Sequence, residues 1–477
     1  MVQHFSRWRG RPSWLLLSVV AWGLIAQVLL AQAPQAASNS QRELVALATE
    51  NEAPLKSPGK SPGPKNLDQC LELGFQHQPS LDAARASLDA ARIGASGINR
   101  MVLPRLFKPD MKIRSQQSTH GVTIAEASVT QAEWETRYAI TRTFFTVQYV
   151  RSQQVVIEDV LKRLTEGRNR VKQLVDSGDA TVKVNKLDIN ALDVQIKLVR
   201  AKKSQADNGL LKALAAMREA MGLVHDYPLE IADADLPPAV YSIKVDDKDD
   251  KGNVKLKNGK PVQIDEYRRL YQINKESMIT AALANRSEIV QANTANIITG
   301  LEIDAQGKIR GYQGNTFASG GDIHAKSIPQ GVQNGEYRPG GFGIEMPAQL
   351  AGRRADRVAR AAALHQRANA VVDKTTSLVA LDTEAQFLKW QEAAEGVEDL
   401  SSVIAMALQL VKDVQALDPT QFTSGAVIQA NITSVMVRTQ LNDAKHMHAL
   451  ALAGLERATA GAFRIYPIPA APAGLPK

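Results

Sequence analysis

A seven-residue apolar repeat, sustained over most of two long stretches, constrains this chain more than any other feature. Val150, Ile157, Leu164 and Val171 recur at that interval, with Val160 and Leu174 at the intermediate position. Such a period keeps one seam of an α-helix turned toward a partner helix. Beyond Asp176-Ser177-Gly178-Asp179, the step resumes at Val182, Ile189, Ile196, Leu210 and Met217, broken only by Lys203. A second seam reads Leu192, Val199, Ala206, Ala213 and Ala220, and small residues there let two helix backbones approach closely. The pattern predicts an antiparallel helical hairpin that ascends from Ala125 to Val175 and descends from Thr181 to about Leu223. Some fifty residues at ~1.5 Å each extend on the order of 75 Å, far beyond an ordinary globular helix.

A second hairpin follows, ascending from about Gln349 to Leu417, turning at Asp418-Pro419-Thr420 and descending to Phe463. The short segments that introduce the two also correspond: Ala282-Leu-Ala-Asn-Arg-Ser-Glu-Ile289 lies over Gly74-Phe-Gln-His-Gln-Pro-Ser-Leu81 without a gap. The chain therefore reads as internally duplicated. With aromatics at 5%, the composition suits long packed helices better than a thick globular core. A projecting helix pair leaves two faces to cover, so self-association is expected.

Arg7, Arg9 and Arg11 precede an uncharged run from Pro12 to Leu30 and then Ala31-Gln32-Ala33, the pattern of a secretory signal peptide over residues 1–33. The same run approaches the length of a membrane-spanning helix, which is the alternative. Cys70 is the single cysteine, so the chain has no internal disulfide, as suits an exported bacterial envelope protein. Of the formal net charge of +8, three units belong to the signal arginines, leaving +5. Residues 34–66 form a Pro/Gly/Ser-rich linker in which Lys56, Lys60 and Lys65 are dispersed, so no concentrated basic face points to nucleic acid. The first repeat is placed at 67–240, an inserted β-hairpin at 241–264, the second repeat at 265–463 and a Pro/Ala-rich tail at 464–477.

Within the insertion, Asn258-Gly259 between two short extended runs is a strong two-residue hairpin signal. The neighbouring run Asp246-Asp247-Lys248-Asp249-Asp250 does not make a calcium loop. Aligned from Asp247, Lys251 falls on a ligand position and Asn258 stands where a closing bidentate glutamate is needed. Residues 301–347 are Gly-rich and read as strands and turns, with a hairpin at Ile303–Ile309. His446 and His448, two residues apart on a helix, face different directions and form no helical zinc pair. No nucleophile turn or metal-ligand spacing occurs, so neither an enzyme nor a cofactor is expected.

The segments Leu71–Leu81 and Ala282–Ile289, Ile98–Pro104 closing a helix, Phe144, Phe145 and Tyr149, Val175-Asp-Ser-Gly-Asp-Ala-Thr181, Leu214–Gly222 before Leu236-Pro237, and Gly343–Arg354 before a long helix together resemble the TolC-like outer membrane efflux protein family. The resemblance implies a mainly α fold in which a homotrimer of duplicated long antiparallel helical hairpins forms a periplasmic α-barrel. Strand pairs would contribute a small β-barrel portion in the outer membrane, closed because unpaired strand edges cannot face lipid. It implies the exit duct of a tripartite efflux pump or type I secretion system in a Gram-negative type envelope, working with a periplasmic adaptor and an inner membrane pump. The hairpin tips, at Leu174, Ser177, Gly178, Thr181, Thr420 and Ser424, would meet the adaptor. Gly178 and Thr181 serve equally well as a helix terminator and a helix cap. Tyr312, Phe317, Tyr337 and Phe342 would supply membrane-interface aromatics, or are ordinary loop aromatics. In the first repeat the strand pair would have to fit within Arg105–Ile124, where charges are interspersed and two strands of about 9 to 11 residues with a turn barely fit. The rival from another class is an elongated periplasmic coiled-coil adaptor or structural protein.

Overall fold

Asn66 opens the first helix with a reciprocal cap: its side chain accepts from the Gln69 backbone N–H while the Gln69 side chain accepts from the Asn66 backbone N–H. A computed structural model describes residues 63–101, 108–177, 186–246, 263–310, 352–416 and 424–465, together with 254, 256–257, 260–261, 324–325 and 342–343. Helix α1 (Leu67–His77) ends at Gln78, whose extended backbone leads into α2 (Pro79–Arg100) with Pro79 at the first helical position. Then come the long α3 (Met111–Asp176) and its return helix α4 (Lys186–Ala220). After an insertion, the series repeats: α5 (Lys275–Asn285), α6 (Ser287–Lys308), α7 (Arg354–Gln415) and α8 (Ser424–Ala458).

The duplication expected from the entry segments is carried through element by element. Helices α1 and α5 both have 11 residues, α2 and α6 both have 22, α4 and α8 both have 35, and α3 and α7 have 66 and 62. Gln78 and Arg286, the overlaid junction residues, share an extended conformation (φ −74°, ψ 114° and φ −68°, ψ 129°). Each also reaches the last carbonyl of its return helix. Gln78 Nε2 donates to Ala220 O at 2.9 Å, and Arg286 Nη1 to Ala458 O at 3.4 Å.

The four helices of each end lie side by side, because each long helix changes partner along its length. The first part of α3 packs on α2 and α6, and the first part of α7 on α6. Further along, α3 packs on α4 and α8, and α7 on α8. The predicted seam accounts for the second region: Val160, Leu164, Val171, Leu192 and Ile196 are buried in one cluster, with Leu174, Ile189 and Val199 packed around it. Nearer the middle, Tyr138, Ile140, Phe144 and Phe145 of α3 bury against Met217 of α4, Ala449 and Ala453 of α8, and Cys70 and Leu71 of α1. Burial pushes the Cys70 thiol up to about 11, which makes it unreactive.

The insertion is a β-hairpin, as its turn residues predict. Strand β1 (Val240–Asp246) pairs antiparallel with β4 (Gln263–Arg269), and beyond them β2 (Leu256–Lys257) pairs with β3 (Lys260–Pro261) across Asn258-Gly259. Farther along, β5 (His324–Ala325) pairs with β6 (Phe342–Gly343).

Two expectations are corrected. Strands were expected within Arg105–Ile124, but α3 begins at Met111, so residues 111–124 are helical. Of the charges there, Lys112 and Arg114 belong to a packed helix, in which Met111, Ile113, Arg114 and Gln117 are buried. The expected hairpin at Ile303–Ile309 is instead the end of α6, which runs to Lys308. Glu302, Ala305 and Gln306, at the i, i+3, i+4 spacing, bury one face. No described helix is long and apolar enough to cross a membrane.

Candidate functional site

At the start of α3, the end of α6 and the start of α7, a buried polar collar ties the elements together. Arg114 of α3 meets Glu302 of α6 with both terminal nitrogens, one of them at 3.1 Å, and its Nη1 also donates to Gln117 Oε1 at 2.8 Å. Gln117 Nε2 donates to Glu302 Oε2 at 2.9 Å and Ile298 O at 3.1 Å. Gln306 Nε2 donates to Glu302 Oε1 at 2.6 Å, and Gln306 Oε1 accepts from Arg357 Nε at 2.9 Å. Arg357, fully buried, also donates to Ile309 O at 2.9 Å and Gly352 O at 2.6 Å. One guanidinium thus pins both roots of the segment 309–353.

The two crossings at this collar are unequal. Ten residues, 101–110, separate α2 from α3, whereas 45 residues, 309–353, separate α6 from α7. Fully extended, ten residues reach ~35 Å, enough for one pass across a bilayer's hydrocarbon core but not for a pass out and back. Ten residues are also fewer than two membrane strands of about 9 to 11 residues and a turn require.

A second buried cluster joins all four neighbouring helices at the repeat junction. Asp382 of α7, fully buried, accepts from Arg286 at 2.9 Å and from Arg457 of α8 at 2.9 and 3.0 Å. Arg286 also forks onto Glu288 of α6 at 2.6 and 2.9 Å, and Arg457 reaches Glu135 of α3 at 3.1 Å. Burial works against the Arg457 charge, but Asp382 and Glu135 outweigh it and hold the guanidinium above its ordinary range. Buried charges survive only when paired in this way.

Nearer the tips, the contacts run directly between the hairpins. Tyr149 Oη donates to Asp443 at 2.6 Å, and Gln153 joins the same carboxylate at 3.0 Å. The His446 ring stacks on Tyr149 with centroids 4.3 Å apart, and Arg438 of α8 pairs with Asp159 of α3. These contacts tie one hairpin to the other.

Burial pushes both His446 and His448 down to about 4, with Arg142 adding to the effect at His446. Because the folded values lie below the unfolded 6.5, the stabilisation is complete above pH 6.5 and is lost as pH falls toward 4. Unfolding free energies from denaturant titrations are expected to drop by about 1.6 kcal/mol per histidine between pH 6.5 and 5, and the His448→Leu variant is expected to lose half of that slope. An unchanged slope in the variant would contradict this account.

The residues expected at the tips are only partly described. Leu174 is half-buried and packs, with Val171 and Val175, in the cluster that includes Val414 and Val435 of the second hairpin. Ser177 is exposed, and its hydroxyl donates to Leu174 O at 2.7 Å. Ser424 begins α8. Gly178, Thr181 and Thr420 lie outside the described residues. Of the expected interface aromatics, Phe342 lies in β6, while Tyr312, Phe317 and Tyr337 lie outside the described residues. Among the described residues no cluster of His, Cys, Asp and Glu is arranged to hold a metal. The acidic run 247–250 also lies outside them.

Apolar side chains also stand exposed at helical spacing, Leu187, Val194 and Leu198 on α4 and Leu381, Leu388, Met406 and Leu410 on α7. The collar and the junction cluster were not foreseen from the sequence. Their signal was charge within packed helices, at Arg114, Glu302, Asp382 and Arg457, where solvated faces would be the ordinary reading.

The sequence matches no protein-family profile and no curated protein. The structure is similar to solved outer membrane channels. It superposes on the outer-membrane channel OprN with a TM-score of 0.61 at 13% identity, covering 83% of this chain and 90% of that one. For VceC, an outer membrane protein from Vibrio cholerae, the TM-score is 0.59 at 13% identity, covering 83% and 97%. For the open state of the MtrE outer membrane channel of Neisseria gonorrhoeae it is 0.57 at 13% identity, covering 83% and 89%. The fold is the TolC-like one that the sequence resembles.

Proposed function

We propose that this chain is the outer membrane channel component of a tripartite efflux pump or type I secretion system, a passive exit duct for small molecules or proteins. The observation that carries this reading is the duplicated four-helix layer, which follows the channel fold over 83% of the chain. In this reading, residues 1–33 direct export and are removed, residues 34–66 form a tether, and repeats 67–240 and 265–463 flank the inserted hairpin, with a tail at 464–477. Three copies close the duct by covering the exposed apolar faces of α4 and α7. That apolar surface is the kind that marks an interaction site rather than a solvated face. The duct performs no bond chemistry, and an inner membrane pump supplies the energy.

The long crossing 309–353 makes the contact with outer membrane lipid, since the first crossing is too short to pass out and back. That shortness also favours a second reading, an elongated periplasmic protein that does not enter the membrane. The duplication counts against an adaptor, which needs a single hairpin flanked by β domains.

The tips carry the partner contact with the periplasmic adaptor. A bulky residue at the turn, Gly178→Leu, is expected to cut adaptor cross-linking and export at least tenfold while leaving the chain folded. Unchanged cross-linking and export would remove the tip assignment. Deleting the gene with no change in export or compound sensitivity would count against transport itself.

A further inference from the structure

An open cleft of about 760 Å³ lies between the inserted β-hairpin and α7, on the side of the molecule where the described chain ends. Four aromatic side chains line it, Tyr241 from β1, Tyr271 just after β4, and Phe387 and Trp390 from α7, among charged and polar ones that include Glu266, Arg269 and Glu398. Arg268, directly opposite Tyr241 across the β1–β4 pair, adds a charged rim. Trp390 is buried, and its indole N–H has no hydrogen-bond partner.

The last described residues lead to this place. Phe463 and Ile465 pack against the Trp390 cluster alongside Tyr271 and Phe387. The chain then continues as Tyr466-Pro-Ile-Pro-Ala-Ala-Pro-Ala-Gly-Leu-Pro-Lys477. Pro469 and Pro472 stand three residues apart, one turn of a polyproline II helix, so that conformation puts both rings on one face. Such a helix leaves all its carbonyls free, and aromatic-lined grooves are the surfaces that recognise it. The geometry points to this cleft as the docking site of the chain's own tail, residues 466–477, taken up as a polyproline II segment against the aromatic side chains of the cleft. Tethering through Ile465 gives the tail an effective concentration in the millimolar range, ahead of a free proline-rich ligand. Docked there, the tail bridges the inserted hairpin and α7, and fixes the insertion against the helical layer.

The test is disulfide trapping in the full chain, pairing Gln391→Cys in the cleft wall with Ala471→Cys in the tail. Cys70, buried and held protonated, stays silent under mild oxidation. An intrachain disulfide is expected at least tenfold faster than for Ala471→Cys paired with Arg92→Cys on the distant, exposed face of α2. Adding Pro469→Ala and Pro472→Ala is expected to slow trapping at least tenfold, and Pro476→Ala to leave it unchanged. Equal rates for the two cysteine pairs would overturn the proposal, as would a product joining two chains, which would assign the cleft to a second copy. Indifference to the two prolines would overturn the polyproline mode of recognition.

Discussion

Asp382→Ala is expected to destabilise the chain by about 3–5 kcal/mol, read as a lowered denaturation midpoint at fixed chain concentration. Two buried guanidiniums, Arg286 and Arg457, converge on this carboxylate, and its loss leaves both with less than the negative charge that burial requires. Glu288 and Glu135 still hold the other edges of the two arginines, which keeps the loss within that range. Asp82→Ala provides the contrast, because the Asp82–Arg85 pair is mostly exposed. Exposed pairs of that kind contribute about 0–1 kcal/mol. Replacing the cluster's charges together by apolar residues of similar size is expected to recover much of the lost stability. An Asp382→Ala midpoint indistinguishable from that of Asp82→Ala would mean that the cluster does not hold the four helices together.

Gly222→Ala is the second large effect. Gly222 follows α4 with φ at +69°, a conformation that costs an L side chain about 1 kcal/mol, and an added Cβ would stand 2.7 Å from Gln78 Cα and against the His77 carbonyl. Both neighbours are backbone at the α1–α2 junction, so relief requires that junction to move, at a further ~1–3 kcal/mol. A total loss of about 2–4 kcal/mol is expected. Gly94→Ala, within α2 and with nothing near its missing Cβ, is expected to have the opposite sign, a gain of about 0.5–1 kcal/mol. Thermal melts of the two variants check the pair, and a Gly222→Ala chain as stable as the parent would show that α4 does not seat on that junction.

The helical seams were legible because their determinants are local. Val160, Leu164, Val171, Leu192 and Ile196 announce their burial through spacing alone, and the Asn258-Gly259 pair announces its turn. The entry segments were legible by internal comparison, since Gln78 and Arg286 occupy equivalent junctions despite different side chains. What was not legible depends on partners far away in sequence. Arg114 reads as a charge spoiling a strand until Glu302, 188 residues on, is brought beside it. Residues 303–309 read as a hairpin because their glycine and polar residues suit a turn, yet Glu302 and Gln306 are satisfied in a helix facing α3 and α7. The junction cluster needs one residue from each of four helices, and no single window of sequence contains it.

Density-gradient fractionation of the cell envelope, followed by cross-linking and gel analysis with and without heating, tests the central claim most directly. The account predicts a heat-modifiable trimer in the outer membrane fraction, its exposed α4 and α7 faces protected from modification at Leu187→Cys and Leu388→Cys. A monomeric species released with the soluble periplasmic contents, with both positions freely modified, would contradict it.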